Sequence, residues 1–313
     1  MPRDKPPNTF LCLVLLSTFL QGSSFVATKA VLRDVQPLWL ATLRFFVAAL
    51  SLVPVLLPRL LHPNRRSGSR MPWLHLALIG LLQTTGVMAF LTIGLTSSTA
   101  PMAAILMASN PLLVALLAGV LLGEPVRRQG WAGLALSFVG VVLCIGVEMV
   151  FTGAIGRGEV LVMLGSTCWA LATIVSQRFN LSIDAWVLAF WQMVFGTAGL
   201  ALVALIRGDA FSLPASPTAW LWFLWLAIPA STGAMGLWFA ALRRGGAVRT
   251  SGFLFLCPLF AAVIAFVLHG ERVSWHQSLG GLLIAAGIGL VTTARASAAP
   301  ASGTSASSLR VER

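Results

Sequence analysis

The chain is built from ten apolar runs, at about 9–31, 37–58, 72–95, 98–122, 130–147, 159–180, 184–206, 219–242, 246–269 and 274–293. A bilayer core about 30 Å thick takes about 20 apolar residues of α-helix to cross, so each run is long enough for one span. Strands of a membrane barrel would alternate with period two over roughly ten residues, and these runs do not. Between the fourth and fifth runs, Gly123-Glu124-Pro125 and then Arg127-Arg128 force a break, because Pro opens a helix well and charges stay out of lipid. Composition agrees: of 313 residues, 58% are hydrophobic and only 10% charged. A soluble domain carries about 25% charged residues. The expected fold is an all-α integral membrane protein with ten transmembrane helices.

The net charge of +12 would suit a nucleic-acid binder if it were gathered on one face. It is instead scattered through the short gaps between apolar runs, which excludes nucleic acid as the partner and leaves membrane lipids. Placing the N-terminus inside puts fifteen Lys and Arg residues on the cytoplasmic side against five outside, with Arg44 left over within the second run. That asymmetry predicts an inner-membrane protein with both termini cytoplasmic. Arg3 and Lys5 before an apolar stretch resemble a signal peptide, with Cys12 as a lipobox candidate. The run, however, continues to Val31 and is copied later in the chain, which favours an uncleaved first helix. The four cysteines lie in apolar runs as small hydrophobes, and the Ala/Ser-rich segment 297–313 reads as a disordered cytoplasmic tail.

Self-similarity sets the architecture. Gly123-Glu124 recurs as Gly270-Glu271, a shift of 147 (271 − 124 = 147). At that shift Trp73 meets Trp220, Thr85-Gly86 meets Thr232-Gly233, Pro111-Leu112 meets Pro258-Leu259, Gly133 meets Gly280 and Gly140 meets Gly287. Earlier in each copy the shift drifts by one or two, pairing Ser17-Thr18 with Ser166-Thr167. The copies span 1–148 and 149–296, with five runs each. An odd number of spans turns the second copy upside down, and inverted repeats are the architecture of alternating-access transporters. A channel, a ten-span membrane enzyme and a lipid-handling protein are the alternatives on the same scaffold.

The ordered motifs resemble the ten-helix drug/metabolite transporter superfamily with two EamA domains. They are Gly22-Ser23-Ser24-Phe25 with Lys29, Leu43-Arg44-Phe45, and Pro111 followed by Leu121-Leu122-Gly123-Glu124. The second copy supplies Trp169-Ala170, Arg178, Gln192, Pro258 and Gly270-Glu271, and the resemblance covers about residues 9–294. One departure is Gln21, where the family usually has tryptophan. The resemblance implies transport of small metabolites, often efflux of amino acids or related compounds.

The residues themselves narrow the chemistry. A P-loop needs a Lys after its glycines, and the only lysines, Lys5 and Lys29, stand in no such setting. Neither H-E-x-x-H nor G-x-S-x-G occurs, and no metal-ligand cluster or cofactor motif is visible. All nine acids lie in gaps or at run ends, which argues against an Asp/Glu proton relay within the membrane.

The polar residues inside the runs are the candidate solute contacts. Arg44, about two turns into its run, is a counter-charge for an anionic solute, a structural partner, or a helix-end anchor. Gln192 is its counterpart in the second copy, either on the facing wall of one cavity or as packing glue. Gln21, Ser24, Gln83, Thr84 and Asn110 supply further hydrogen bonds to a solute or to neighbouring backbone. Trp169 and Trp238 lie deep, where they pack or line a cavity for an apolar or aromatic solute, while most other tryptophans mark run ends. Pro111 and Pro258 fall near the middle of their runs and are expected to kink the helices beside a cavity. Gly281, Ala285 and Gly289, with Gly133 and Ser137, form small-residue ridges suited to contact within the bundle or between protomers of a homo-oligomer. Four charges give candidate gates, Lys29 with Glu271 outside and Arg178 with Glu124 inside. The competing reading is that they anchor helix ends.

Overall fold

The computed structural model describes residues 8–61, 72–98, 100–123, 126–145, 156–179, 183–269 and 275–296. These form helices throughout, with no strand among them. In order they are α1 (Asn8–Val31), α2 (Pro37–Leu61), α3 (Trp73–Gly94), α4 (Ala100–Ala108 and Asn110–Leu121) and α5 (Arg128–Ile145). There follow α6 (Arg157–Arg178), α7 (Ala185–Arg207), α8 (Pro217–Gly245), α9 (Ala247–Gly252, Phe253–Phe255 and Leu256–His269) and α10 (Trp275–Ala296). Eight of them, α1–α4 and α6–α9, are long and apolar enough to cross a membrane, and α5 and α10 are shorter apolar helices. The chain is a multi-pass helical membrane protein.

Local sequence sets the helix ends. Ser216 caps α8 by accepting from the Ala219 N–H at 3.1 Å, with Pro217 behind it in the first turn, where its missing N–H costs nothing. Gly208, at φ 70°, stops α7 with a left-handed residue that carries no Cβ penalty. Gly246, at φ 74°, makes the tight corner between α8 and α9.

The expected proline kinks take another form. The chain turns at Ser109, and Pro111 stands in the first turn of the restarted helix. In α9 a single 3₁₀ turn, Phe253–Phe255, precedes Pro258. A proline ring clashes with the carbonyl four residues earlier, and breaking the helix just upstream removes the clash.

Bulky side chains pack inward on α2, α7 and α8, where Phe45, Leu52, Met193, Leu200 and Trp238 share one cluster. Phe46, Leu50, Leu205 and Leu221 point outward and exposed, as lipid-facing positions do. Helices α5 and α10 run antiparallel in close contact. A side chain at Gly133 would strike the Gly287 carbonyl, and one at Gly140 the Gly280 carbonyl. Ser137 donates to Ile284 O at 3.4 Å, 147 residues away, so the two helices meet on a local two-fold that passes beside this pair.

The α10 ridge that meets α5 is therefore Gly280, Ile284 and Gly287; of the expected Gly281, Ala285 and Gly289, Gly281 packs instead against Leu259 of α9. Ala285 and Gly289 are exposed, and a Cβ on Gly289 would meet nothing. Glycines at 280 and 281 are adjacent in sequence, and only packing decides which of the two faces the neighbouring helix.

Candidate functional site

Two π-helical turns organise the polar interior. Leu81–Gly86 in α3 and Ile228–Gly233 in α8 are each six residues long and lie 147 residues apart. In α8, Pro229 has no N–H to give, and the hydroxyls of Ser231 and Thr232 reach back five residues to Leu226 O (2.8 Å) and Ala227 O (3.3 Å). The wider turn presents these hydroxyls to α2.

Arg44 meets them there. Its neighbours one turn either side, Leu40 and Ala48, are buried, while Phe46 and Leu50 form the exposed edge of α2. The side chain therefore points into the bundle, as the cost of a charge in lipid requires. Arg44 Nε donates to Ser231 Oγ at 3.0 Å, and the guanidinium lies 4.7 Å from the Phe45 ring centroid. One turn along, Thr232 donates to Ala48 O at 3.0 Å and meets Ser51 Oγ at 2.9 Å.

The second copy repeats the arrangement. Gln192, fully buried, donates from Nε2 to Thr84 Oγ1 in the α3 π turn, and Thr85 Oγ1 donates to Gly196 O at 3.0 Å. Gly196 and Gly199 let the threonines in, since a Cβ at either would collide with Thr84 or Thr85. Arg44–Ser231 and Gln192–Thr84 are thus equivalent contacts in the two halves. One holds a charge and the other does not.

A second group of candidates gathers on α1, α6 and α8. Ser17 Oγ donates to Ala234 O at 2.9 Å, and Gln21 Nε2 donates to Ser17 Oγ at 3.0 Å, leaving Gln21 Oε1 buried without a donor. Trp169 and Trp238 meet edge to face with centroids 6.3 Å apart, and neither indole N–H finds an acceptor. Asn110 donates to Ser166 O at 2.9 Å, tying α4 to α6, and its Oδ1 has no partner. Gln83 is buried with its amide oxygen unpaired. Ser24 turns back on its own helix, donating to Gln21 O at 2.7 Å.

The charged ends are less gathered. Lys29 is exposed at the end of α1. Glu124 and Glu271 lie outside the described residues. Arg178 donates to Leu121 O at 2.8 Å, which places a cation on the carbonyl end of α4, where the helix dipole favours it. Among the described residues, no group of three His, Cys, Asp or Glu is placed to hold a metal ion.

Sequence reasoning singled out Arg44 and Gln192 but not Ser17, Ser231 or the pairing of Thr232 with Ser51. The signal was present: Thr84-Thr85 and Ser231-Thr232 align at the repeat shift, and Ser17 aligns with Ser166.

Known proteins match this chain along nearly its whole length. The profile of the EamA-like transporter family matches it twice, over residues 8–146 and 156–293. An uncharacterized transporter of Archaeoglobus fulgidus is 32% identical over 285 residues, covering 90% of this chain and 96% of that protein. A Salmonella typhimurium protein named "Probable amino-acid metabolite efflux pump" is 26% identical, covering 88% of this chain and 92% of its own length. A crystal structure with 21% sequence identity superposes with a TM-score of 0.77, covering 93% of this chain and 99% of the other, and so has the same fold. With both halves of the sequence matched by that profile, the chain belongs to the EamA-like transporter family.

Proposed function

We propose that the protein is a secondary transporter that moves small metabolites, amino acids or related amphipathic solutes, across the inner membrane by alternating access. The direction we propose is export. Ten spans form two inverted five-helix repeats, residues 1–148 and 149–296, with the tail 297–313 and both termini in the cytoplasm. The antiparallel contact of α5 with α10 about a local two-fold supports the inversion, because copies inserted the same way up would place these helices parallel. Gln21, Ser24, Arg44, Gln83, Thr84, Asn110, Trp169, Gln192 and Trp238 contribute the solute contacts. Pro111 and Pro258 shape the helix breaks beside them. Lys29 with Glu271 and Arg178 with Glu124 bias the outer and inner gates.

The observation that carries this reading is the matched pair Arg44–Ser231 and Gln192–Thr84, each seated on a π-helical turn. Helical irregularities of this kind occur inside membranes where they line a cavity or are covered by protein, and π turns gather at functional sites. The relative in Salmonella typhimurium supports the amino-acid class. Counterflow into liposomes holding purified protein tests the function, screened over amino acids, nucleosides and organic cations. Saturable, protein-dependent exchange is the expected result. Flux that rises without saturation would identify a channel, and the absence of flux for every solute would overturn the transporter reading.

A further inference from the structure

Where α1 gives way to α2, the corner of the first copy is tied to the α7–α8 loop of the second. Asp34 Oδ2 accepts from the Ala215 N–H at 3.1 Å, the Gln36 N–H donates to Ser212 Oγ at 3.0 Å, and Trp39 Nε1 donates to Asp209 O at 2.8 Å. Phe211 meets the Trp39 ring edge-on, with centroids 5.1 Å apart. The loop that makes these contacts, 208–216, is itself stiff. The Asp209 N–H returns to Ala204 O at 3.1 Å behind the left-handed Gly208, and Pro214, which is buried, and Pro217 fix φ where the chain turns into α8. Beneath the loop lies an apolar cluster in which Val31, Val35 and Leu40 are buried against Phe223, Leu226 and Ala230. Parting these ends would break every one of these contacts and bare the cluster to water.

Deeper along the same two helices the contact is of another kind. Fifteen residues on from Gln36 (51 − 36 = 15), about 22 Å along the helix, Ser51 Oγ meets Thr232 Oγ1 at 2.9 Å on the α8 π turn. Thr232 has acceptors on both helices, Ala48 O at 3.0 Å and Ala227 O at 3.3 Å, and Ser51 has its own in Ala48 O at 2.7 Å. Each hydroxyl therefore keeps a partner when α2 and α8 shift, whereas the loop contacts have no such substitutes. The repeat does not copy the tie either. At the shift of 147, Phe211-Ser212 meets Asn64-Arg65, and at the shift that pairs Arg44 with Gln192 (192 − 44 = 148), Asp34 meets Ser182 and Trp39 meets Val187. The side chains that build it belong to one end of the molecule.

Resting on the transporter reading above, we propose that the 208–216 loop is a fixed clamp on the outer face. The α1–α2 corner and the α7–α8 loop stay joined through the transport cycle, and α2 and α8 pivot about them. This seam between the copies then widens only towards the cytoplasm, with a displacement that grows with distance from the clamp. Exact inversion symmetry would make the motions of the two copies alike, and a tie present at one end makes them unequal.

Disulfides placed at two depths of the one seam test this, in the full-length chain freed of its native cysteines and reconstituted in liposomes. Gln36→Cys with Ser212→Cys bridges the clamp, and Ser51→Cys with Thr232→Cys bridges the seam at the π turn. Residues already in hydrogen-bond contact lie within reach of an S–S bond. Counterflow is read with a radiolabelled pool of amino acids, nucleosides and organic cations, before oxidation, after it, and after reduction. The oxidised clamp pair should carry flux within about twofold of its reduced form. The oxidised deep pair should lose about tenfold or more and recover on reduction. Failure of the clamp pair to cross-link, a reversible loss of flux when it does, or equal effects of the two bridges overturns the proposal. The clamp pair decides by itself if the deep variant does not fold. Flux in the unmodified chain that stops when the clamp is bridged sinks the clamp and spares the transporter, whereas no flux from the unmodified chain fails the transporter reading and takes the clamp's role with it.

Discussion

Arg44 and Gln192 hold equivalent places in the two halves and make the same contact: each donates from its side chain to a hydroxyl on a π-helical turn of the other half. Arg44 reaches Ser231 from α2 to α8, and Gln192 reaches Thr84 from α7 to α3. Each of these bonds crosses between the two copies. Any movement of α2 against α8, or of α7 against α3, must act on these bonds, so the transport cycle we propose would be felt at both residues.

The first prediction follows from that placement. Arg44→Ala and Gln192→Ala should each change the apparent affinity or selectivity of counterflow by severalfold or more, in protein that still inserts and elutes as a folded species. Hydrogen bonds within membrane bundles average well under 2 kcal/mol, so neither loss should unfold the chain. An unchanged transport profile for both variants, at normal yield, assigns the two side chains to packing.

The α5–α10 contact makes a sharper structural prediction. Gly287 lies against Ser137 and the Gly133 carbonyl, whereas Gly289, two residues on, meets nothing within 4 Å. Gly287→Leu should therefore lower the midpoint of thermal unfolding in detergent by several degrees, since overpacking a tight contact costs about 1–3 kcal/mol. Gly289→Leu should leave it unchanged. Equal effects at the two positions would mean that α5 and α10 do not meet through this ridge.

The apolar runs and the breaks between helices were legible in the sequence because each rests on a strong local rule. About 20 apolar residues make a span, and Gly123 at φ 66° ends α4 where charge follows. The π turns were not legible. One extra residue per turn leaves the apolar pattern of Leu81–Gly86 nearly unchanged, and its presence depends on how Thr84 and Thr85 meet Gln192 and Gly196 across the bundle. Ser231 escaped notice for the same reason, as a serine in an apolar helix usually bonds only its own backbone. That α5 meets Gly280 rather than Gly281 was not legible, because both are glycine and composition cannot say which of them faces Gly140.

Topology yields a prediction independent of any contact. If both termini and the 59–71 segment are cytoplasmic, single cysteines at Ser67→Cys and Ser305→Cys in a cysteine-free background should resist an impermeant thiol reagent added outside intact cells. Both should react after the cells are opened. Strong labelling of Ser67→Cys from outside would reverse the orientation and remove the charge argument for the inverted repeat.

The gate charges give the last prediction, and it draws on the repeat symmetry directly. Lys29 ends α1 and is exposed, and Glu271 follows α9; their counterparts are Arg178 at the end of α6 and Glu124 after α4. Arg178 already sits on a last-turn carbonyl of α4, donating to Leu121 O at 2.8 Å, so one of the two cations is at the helix end that its proposed acid follows. The proposed repeat symmetry predicts the same place for Lys29 at the end of α9. An exposed ion pair is worth only about 0–1 kcal/mol, but two states of nearly equal energy need no larger bias to shift their populations. Charge exchange separates a pair from two independent helix-end anchors. Lys29→Glu and Glu271→Lys should each slow counterflow, and the double variant should recover part of the loss. High salt should weaken the effect of the single variants, because exposed charges are screened. A double variant no better than either single one would leave Lys29 as an anchor at the head-groups, and the inner gate would then have only the Arg178–Leu121 contact, which a cation makes at a helix C-terminus without any gate.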